Sequence, residues 1–529
     1  MRHLTRPQHL IRASAGRLQS PAVAHGLVQE LMCAVCAGID RGAFWIYGTL
    51  AAFVFATCNL AIGGFTIETD EANLLLSTFK AFGEPVPGAD QVAFPAITSG
   101  GIHFLIHGLL GFVTRSIVVH RAVSLLFLAA LVVMVFALLR RRGAKPGEAL
   151  MGAVLVLATP GLLLQGALAM AEIMATVLLL MTLIYWDRKG RLGLAGSAFT
   201  GILLGLTCAT RTNCLVCIPA VCLFACLDAD SWPSGLSRAG VIMVASVAVY
   251  ALGVTSYVAL FTIGDWDRFK EGVFSATGVA AGKTVALKLL YVSIAADFFP
   301  PALIGGLLLG LAVSWRRGAE LLRLPLLLIC VGLIGAASWI LKAPIPHVRY
   351  AWPFAPLLFV AAGLLFHLSG VLARLPARLA VHCFVVLSVV YQTATSLVYI
   401  TAGDSLVAVY LADRQAGLTS EIAKRSDQRD QRAMAGFIAA LPKNATVFTP
   451  LISLGFPITY LAGREIRPMR ATSTSSPGPI YFLLSPADYA VYHPSRKVGE
   501  WLRRSGVPVF RSGDYTLFAI VNRDPYPFP

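Results

Sequence analysis

The chain has 529 residues, of which 57% are hydrophobic and 13% charged, and its formal net charge is +16. Soluble enzymes carry charge on about a quarter of their residues, so this composition excludes an ordinary soluble enzyme and describes a polytopic membrane protein. The basic residues are spread over short loops and a tail, with no basic helix or aromatic-interleaved patch to follow a phosphate backbone, which argues against a nucleic acid partner.

Residues 1–43 carry Arg2, Arg6, Arg12, Arg17 and Arg41 and no convincing cleavable signal, so they are expected to be a cytoplasmic segment. Residues 44–64 form the first apolar run, about 20 residues and long enough to cross the hydrocarbon core. Residues 65–119 then mix acids, glycine, proline and short apolar pieces, which predicts a long external loop with one or two short helices in the membrane interface. His103 and His107 in this loop are four apart and would share a helix face. Without an HExxH pattern they read as interfacial packing rather than metal ligands.

Ten further apolar runs follow, at 117–140, 147–166, 168–186, 193–210, 213–228, 238–262, 296–315, 321–341, 350–368 and 378–401, for about 11 spans in all. Two pairs of runs are tightly joined, around Ala167 and around Arg211. Cys214, Cys217, Cys222 and Cys226 recur at helical spacing in one run and read as small hydrophobes rather than a metal or redox motif. With the N-terminus in the cytoplasm, Arg140, Arg141, Arg142, Lys145, Arg188, Lys189, Arg191, Arg238, Arg316, Arg317, Arg323, Arg374 and Arg378 all fall on the cytoplasmic side, as positive-inside asymmetry requires.

From residue 402 the character changes, and no later run could cross a bilayer. A helix stopped by Pro442, strands at 445–448 and 479–484, a helix at 497–504 and a final strand pair at 507–510 and 515–521 predict a soluble external α/β domain over 402–529. The fold class is therefore an α-helical polytopic membrane protein, with a membrane domain over 44–401 and a C-terminal external α/β domain.

This orientation, set by basic loops alone, leaves Asp70, Glu71, Glu172, Arg211, Lys283, His347 and Arg349 together on the external side, with Arg121 near the outer end of the second span. A carboxylate in hydrocarbon costs on the order of 3 kcal/mol, so acids at the bilayer edge pair or work.

Three stretches carry a resemblance to a known superfamily: Thr69-Asp70-Glu71 after the first span, His120-Arg121-Ala122-Val123-Ser124 at the second, and His347-Val348-Arg349-Tyr350 followed by Pro353 and Pro356. The stretch from Leu204 to Thr212 and the tail from Ala435-Gly436-Phe437-Ile438 to Tyr460-Leu461-Ala462-Gly463-Arg464 extend it over most of the chain. In motif order and side, the chain resembles the GT-C superfamily of integral-membrane glycosyltransferases, in the branch of protein O-mannosyltransferases and lipid A aminoarabinose transferases. One departure is that no basic or aromatic residue directly follows Asp70-Glu71, where relatives often have one.

The resemblance implies a donor sugar on a polyprenyl phosphate and a hydroxyl acceptor on a lipid, polysaccharide or protein, at the external face of a bacterial inner membrane. Such chemistry needs a carboxylate to take the acceptor proton and cations to hold the departing phosphate. By place in the motif Asp70 is the base, and Glu71 orients a partner such as Arg121. Arg349, His347, Arg211 and Lys283 are the candidate phosphate binders, with Tyr350 beside them, and Glu172 closes the donor pocket or pairs with an arginine. No cofactor is required; a divalent metal stays open but unsupported, because Asp70-Glu71 lacks the second spaced carboxylate of a DxD motif. A multi-span transporter or lipid flippase is the competing reading. Against it stand the long loop after the first span and the large tail, since a carrier sets its key residues near the midplane.

Overall fold

A computed structural model of the chain describes residues 42–59, 69–83, 85–87, 101–159, 161–188, 193–261, 307–308, 310–312, 319–342, 352–370, 372, 375–402, 428–450, 452–469, 477–484, 496–513, 515–522, 524 and 526. Within them the helices are α1 (Gly42–Asn59), α2 (Thr69–Ala81), α3 (Gly101–Gly111), α4 (Ile117–Arg141), α5 (Pro146–Leu155), α6 (Leu162–Gln165), α7 (Glu172–Arg188), α8 (Leu194–Thr210), α9 (Cys217–Leu227), α10 (Trp232–Phe261), α11 (Ala319–Lys342), α12 (Ala355–Leu368) and α13 (Leu375–Ala402). The tail adds α14 (Gln428–Ala440), α15 (Ile452–Ala462) and α16 (Arg496–Ser505), with β1 (Thr446–Thr449), β2 (Ile466–Pro468), β3 (Ile480–Leu484), β4 (Gly506–Ser512) and β5 (Tyr515–Ile520).

Helix α4 shows why the long apolar runs fold as spans. Its 25 residues contain no glycine or proline, and at about 1.5 Å per residue they outreach a hydrocarbon core of roughly 30 Å. Arg140 and Arg141 in the last turn suit the negative end of the helix dipole. Among the described residues five helices are long and apolar enough to cross a membrane, and five shorter apolar helices accompany them. The expected span 296–315 falls mostly outside the described residues.

Helices α7 and α12 are buried on nearly every side, as expected of central helices in a bundle. By contrast, α1, α10 and α13 turn Trp45, Phe53, Val244, Leu252, Leu387 and Tyr391 outward, a face suited to lipid. Helices α8 and α10 meet through Gly201 and Gly205, where a Cβ would lie 2.6 Å from the carbonyl oxygen of Ile242 and 2.7 Å from that of Ser246. Small residues four apart let helix backbones touch, which is how dispersion holds helices together when hydrophobic exclusion is weak.

The structure departs from the sequence reading at the expected span 147–166. Helix α5 gives way to a 3-10 turn, Val156–Ala158, and the chain resumes only as the four-residue α6. Gly161 sits at φ +73, and the Trp352 ring occupies the space where its Cβ would be, so the helix cannot run through. Residues 166–171 cross the interior without regular structure, and α7 begins only at Glu172.

In the tail the strand order is β2-β1-β3-β5-β4, with β2, β1 and β3 parallel and β5 and β4 antiparallel. Alternation along β3 sends Ile480, Phe482 and Leu484 to one face, with Trp501 and Tyr526, and Leu483 to the other, with Met434, Ile438 and Ile458. Both faces are thus covered, by α16 on one side and by α14 and α15 on the other. The sequence reading missed α15 and β2: Pro457 inside α15 masks it as a helix, and β2 has only three residues. Arg464 ties this corner, donating to the carbonyls of Leu441 at 2.8 Å and Ala445 at 2.6 Å and so satisfying groups left open where α14 ends.

The tail rests on α2. The Tyr460 hydroxyl donates to the Arg115 carbonyl at 2.5 Å, and Tyr460 and Leu461 pack on Ala72, Leu75, Leu76, Phe79, Ile117 and Ala169. The soluble unit and the Glu71 helix therefore share one face of the molecule.

Candidate active site

Two buried ion pairs lie at the two joints where successive spans are most tightly connected. In the first, Arg121 donates to Glu71 from Nε to Oε1 at 2.8 Å and from Nη2 to Oε2 at 2.7 Å. The Ala169 N–H adds a third bond to Oε1 at 2.7 Å. Both side chains have 0% exposure, so the desolvation cost is offset by the bidentate fork and by the further N–H on Oε1. Glu71 occupies the first turn of α2, where the helix dipole also favours a negative charge. Asp70 precedes it in the same turn.

In the second pair, Glu172 Oε1 lies 2.6 Å from Arg211 Nη2, again away from solvent. Glu172 is the first residue of α7, and Arg211 is in extended conformation between α8 and the 3-10 turn Thr212–Val216. The breaks at 166–171 and at Arg211 are what bring these charges inside, because a continuous helix would have carried them past one another. One turn beyond Glu172, Thr176 donates its hydroxyl to the Glu172 carbonyl at 3.0 Å and approaches the Trp352 carbonyl at 3.4 Å.

Helix α3 bridges the two pairs. The N–H of Ile102 reaches the hydroxyl of Thr210, next to Arg211, at 3.4 Å, and His103 Nε2 meets the Ala169 carbonyl at 3.2 Å. Gly101 makes this approach with φ +55, where a Cβ would stand 2.9 Å from the Thr210 nitrogen. No larger residue fits there without displacing α3.

His103 and His107 are fully buried, which corrects the interfacial reading. Their ring centroids are 4.3 Å apart, and His107 Nδ1 is 2.9 Å from Nδ1 of His120, whose Nε2 lies 3.1 Å from the Thr114 carbonyl. A carbonyl only accepts, so His120 carries its proton on Nε2 and accepts at Nδ1, and His107 donates from Nδ1. By the same reasoning His103 donates from Nε2. Burial pushes the His103 imidazole down to about 4 and holds His107 well below the usual histidine range, so both stay neutral. The i, i+4 spacing of His103 and His107 was the available signal. What it could not convey was the partner of each ring, 66 residues away in Ala169 for His103 and on α4 for His107.

The structure thus joins Glu71 to Arg121 and Glu172 to Arg211, with Asp70 beside the first pair. Lys283, His347, Arg349 and Tyr350 lie outside the described residues. Trp352, on the C-terminal side of that motif, packs its ring against Gly161 next to the Glu172 helix.

No family model matches the sequence, and no curated protein shows significant similarity to it. Among solved structures, ArnT from Cupriavidus metallidurans in the apo state superposes with a TM-score of 0.58 at 14% identity, over 92% of this chain and 99% of that one. The same protein bound to undecaprenyl phosphate gives a TM-score of 0.56 at 12% identity, over 91% and 99%. The Archaeoglobus fulgidus oligosaccharyltransferase in complex with Zn and sulfate aligns at 14% identity over 90% and 74%, but a TM-score of 0.43 carries no argument. The agreement with ArnT runs through membrane helices and tail together, and this chain shares the ArnT fold.

Proposed function

We propose that this chain is a membrane glycosyltransferase that moves a hexose or pentose from a polyprenyl-phosphate donor to a hydroxyl of a lipid, glycan or protein, at the external face of a bacterial inner membrane. The observation that carries the reading is the engagement of Glu71. Three N–H groups occupy its carboxylate, so of the two adjacent acids Asp70 is the one with a proton-accepting role to fill. The ArnT fold and the undecaprenyl phosphate bound in one ArnT structure support a lipid-linked donor.

In this reading the acceptor oxygen attacks the anomeric carbon of the sugar while its proton passes to the Asp70 carboxylate. The bond from that carbon to the phosphate oxygen breaks, and the polyprenyl phosphate departs with both electrons. Its charge is held by Arg349, Lys283 and His347, with Tyr350 beside the sugar. Glu71 and Arg121 fix the first turn of α2, and Glu172 with Arg211 fixes the opposite wall. The tail domain stands on the external side, with Tyr460 and Leu461 on α2.

The test is transfer by the purified full-length chain, with undecaprenyl-phosphate pentose and hexose as donors and a cell-envelope extract as acceptor, read as released undecaprenyl phosphate. Release that depends on the chain and collapses in Asp70→Asn supports the reading. No release with any donor, combined with unchanged envelope glycolipids and polysaccharides in a strain lacking the chain, overturns it.

A further inference from the structure

Ala169 is engaged through both of its backbone groups, which belong to two successive peptides. Its N–H donates to Glu71 Oε1 at 2.7 Å, and its carbonyl accepts from His103 Nε2 at 3.2 Å. The peptide that contains the Ala169 carbonyl has its N–H on Met170, and that N–H donates to the Leu168 carbonyl at 2.8 Å, which is the oxygen of the peptide whose N–H holds Glu71. A peptide pulled at its oxygen by an N–H donor is polarised and becomes a better donor at its nitrogen, an effect of roughly 10–30% per bond in a low-dielectric interior. Through these two linked peptides His103 acts on Glu71 without touching it. Both peptides lie in the irregular stretch 166–171, where no helical ladder would hold their orientation. Three residues later the chain reaches Glu172 and the second ion pair.

We propose that His103 is a positioning residue of the transfer reaction: through the two linked peptides on either side of Ala169 it aims the N–H that fixes Glu71, and with it the turn of α2 that bears Asp70. This rests on the glycosyltransferase reading for its kinetic test but not for its structural one. The tautomer follows from the hydrogen bonds. With Nε2–H on the Ala169 carbonyl, Nδ1 of His103 holds a lone pair, is buried and has no hydrogen-bond partner among the described residues. Nε2 of His107 is in the same state. Protonation at either nitrogen would place an N–H and a positive charge where nothing accepts them.

Among the described residues, charged and titratable groups around this ring come from several elements. His107 shares α3, and His120 and Arg121 come from α4. Glu71 comes from α2, Glu172 from α7, and Arg211 from the end of α8. Arg211 and His120 both disfavour a charged His103, which burial already opposes. The arrangement works with a neutral imidazole and loses its aim when the ring is protonated.

Two substitutions separate positioning from bulk packing. His103→Gln keeps an N–H that can reach the Ala169 carbonyl and has nothing to titrate, whereas His103→Phe keeps the ring and removes the donor. Release of undecaprenyl phosphate by the full-length chain is followed from pH 3 to 8.5. His103→Phe is expected to lower kcat at pH 7.5 by about 10-fold or more with donor KM within about 3-fold, the loss typical of misplaced groups. His103→Gln is expected to restore kcat to within about 3-fold of the parent and to move the acid limb of the profile to lower pH. Equal impairment of the two variants, or parental kcat and pH profile in both, overturns the proposal.

If the parent itself transfers nothing, the functional reading fails, and the thermal unfolding midpoint then judges His103. His103→Phe and Glu71→Leu, each alone and combined, should shift the midpoint less together than the sum of the single shifts, because each breaks one end of the same chain of hydrogen bonds. Additive shifts overturn the proposal independently of any activity.

Discussion

Arg121 holds Glu71 through two parallel hydrogen bonds, Nε to Oε1 at 2.8 Å and Nη2 to Oε2 at 2.7 Å, with both side chains sealed from solvent. In a pair of this kind the value of each partner lies mostly in what its removal leaves behind. Arg121→Met should strand a buried carboxylate and Glu71→Leu a buried guanidinium, each destabilising the chain by roughly 3–5 kcal/mol. Combining Arg121→Met with Glu71→Leu should return much of that loss. Thermal unfolding in one detergent, with all three variants side by side, measures it.

The chemical role of the neighbouring acid separates from this structural one. Asp70→Asn preserves size and hydrogen-bonding shape but removes the proton acceptor, so transfer should fall by about 10²- to 10⁴-fold while donor binding survives. Single-turnover rates and donor affinity, measured on the same preparation, distinguish the two. Near-parental transfer in Asp70→Asn would take the base role away from this residue.

Acid should weaken the fold through α3, a helix too short to be counted among the long spans. His103 titrates near 4 in the folded chain, against an ordinary value of 6.5. Between those two values the unfolded chain binds a proton that the folded chain refuses, so stability is complete above about pH 6.5 and declines as pH falls toward 4. A shift of that size corresponds to on the order of 3 kcal/mol. Unfolding midpoints at pH 7.5, 6, 5 and 4.5 should fall accordingly, and His103→Gln should flatten the slope.

Close contact between α8 and α10 is the fourth test. A leucine at Gly201 or Gly205 would meet the carbonyls of Ile242 or Ser246, where even a Cβ would stand at 2.6 or 2.7 Å. The helices would have to separate, at a cost of about 1–3 kcal/mol or more. Because α8 leads directly into Arg211, the Glu172 pair should loosen with them. Gly240→Ala in α10, with no described atom within 4 Å of the new Cβ, should leave the unfolding midpoint unchanged or raise it.

The membrane helices were legible because length and hydropathy decide them locally: α4, α8 and α13 begin and end within a few residues of the apolar runs. The interruption between α5 and α7 was not, since it depends on Trp352 filling the space beside Gly161, a contact between residues distant in sequence. The ionic residues of the site could be gathered from charge asymmetry and motif order, and that reasoning named Glu71 with Arg121. It did not reach the histidines. Spacing revealed that His103 and His107 share a face, but their function as donors is set by Ala169 and His120, and neither partner is written in the helix that carries the rings. In the tail, β3 and β5 announced themselves by alternation, whereas α15 was hidden by the proline in its middle.

The bond from Tyr460 to the Arg115 carbonyl spans 345 residues of sequence, and this sets an order of assembly. A ribosome adding roughly 5–20 residues per second needs about 20–70 s to travel from one partner to the other. During that interval α2, with Glu71 and Phe79, lacks the cover that Tyr460 and Leu461 later provide. The helices that cross the bilayer can insert as they emerge, but the segment bearing the two adjacent acids reaches its final packing only after nearly the whole chain has been made. A nascent chain halted before α15 would therefore hold its spans and lack a finished site.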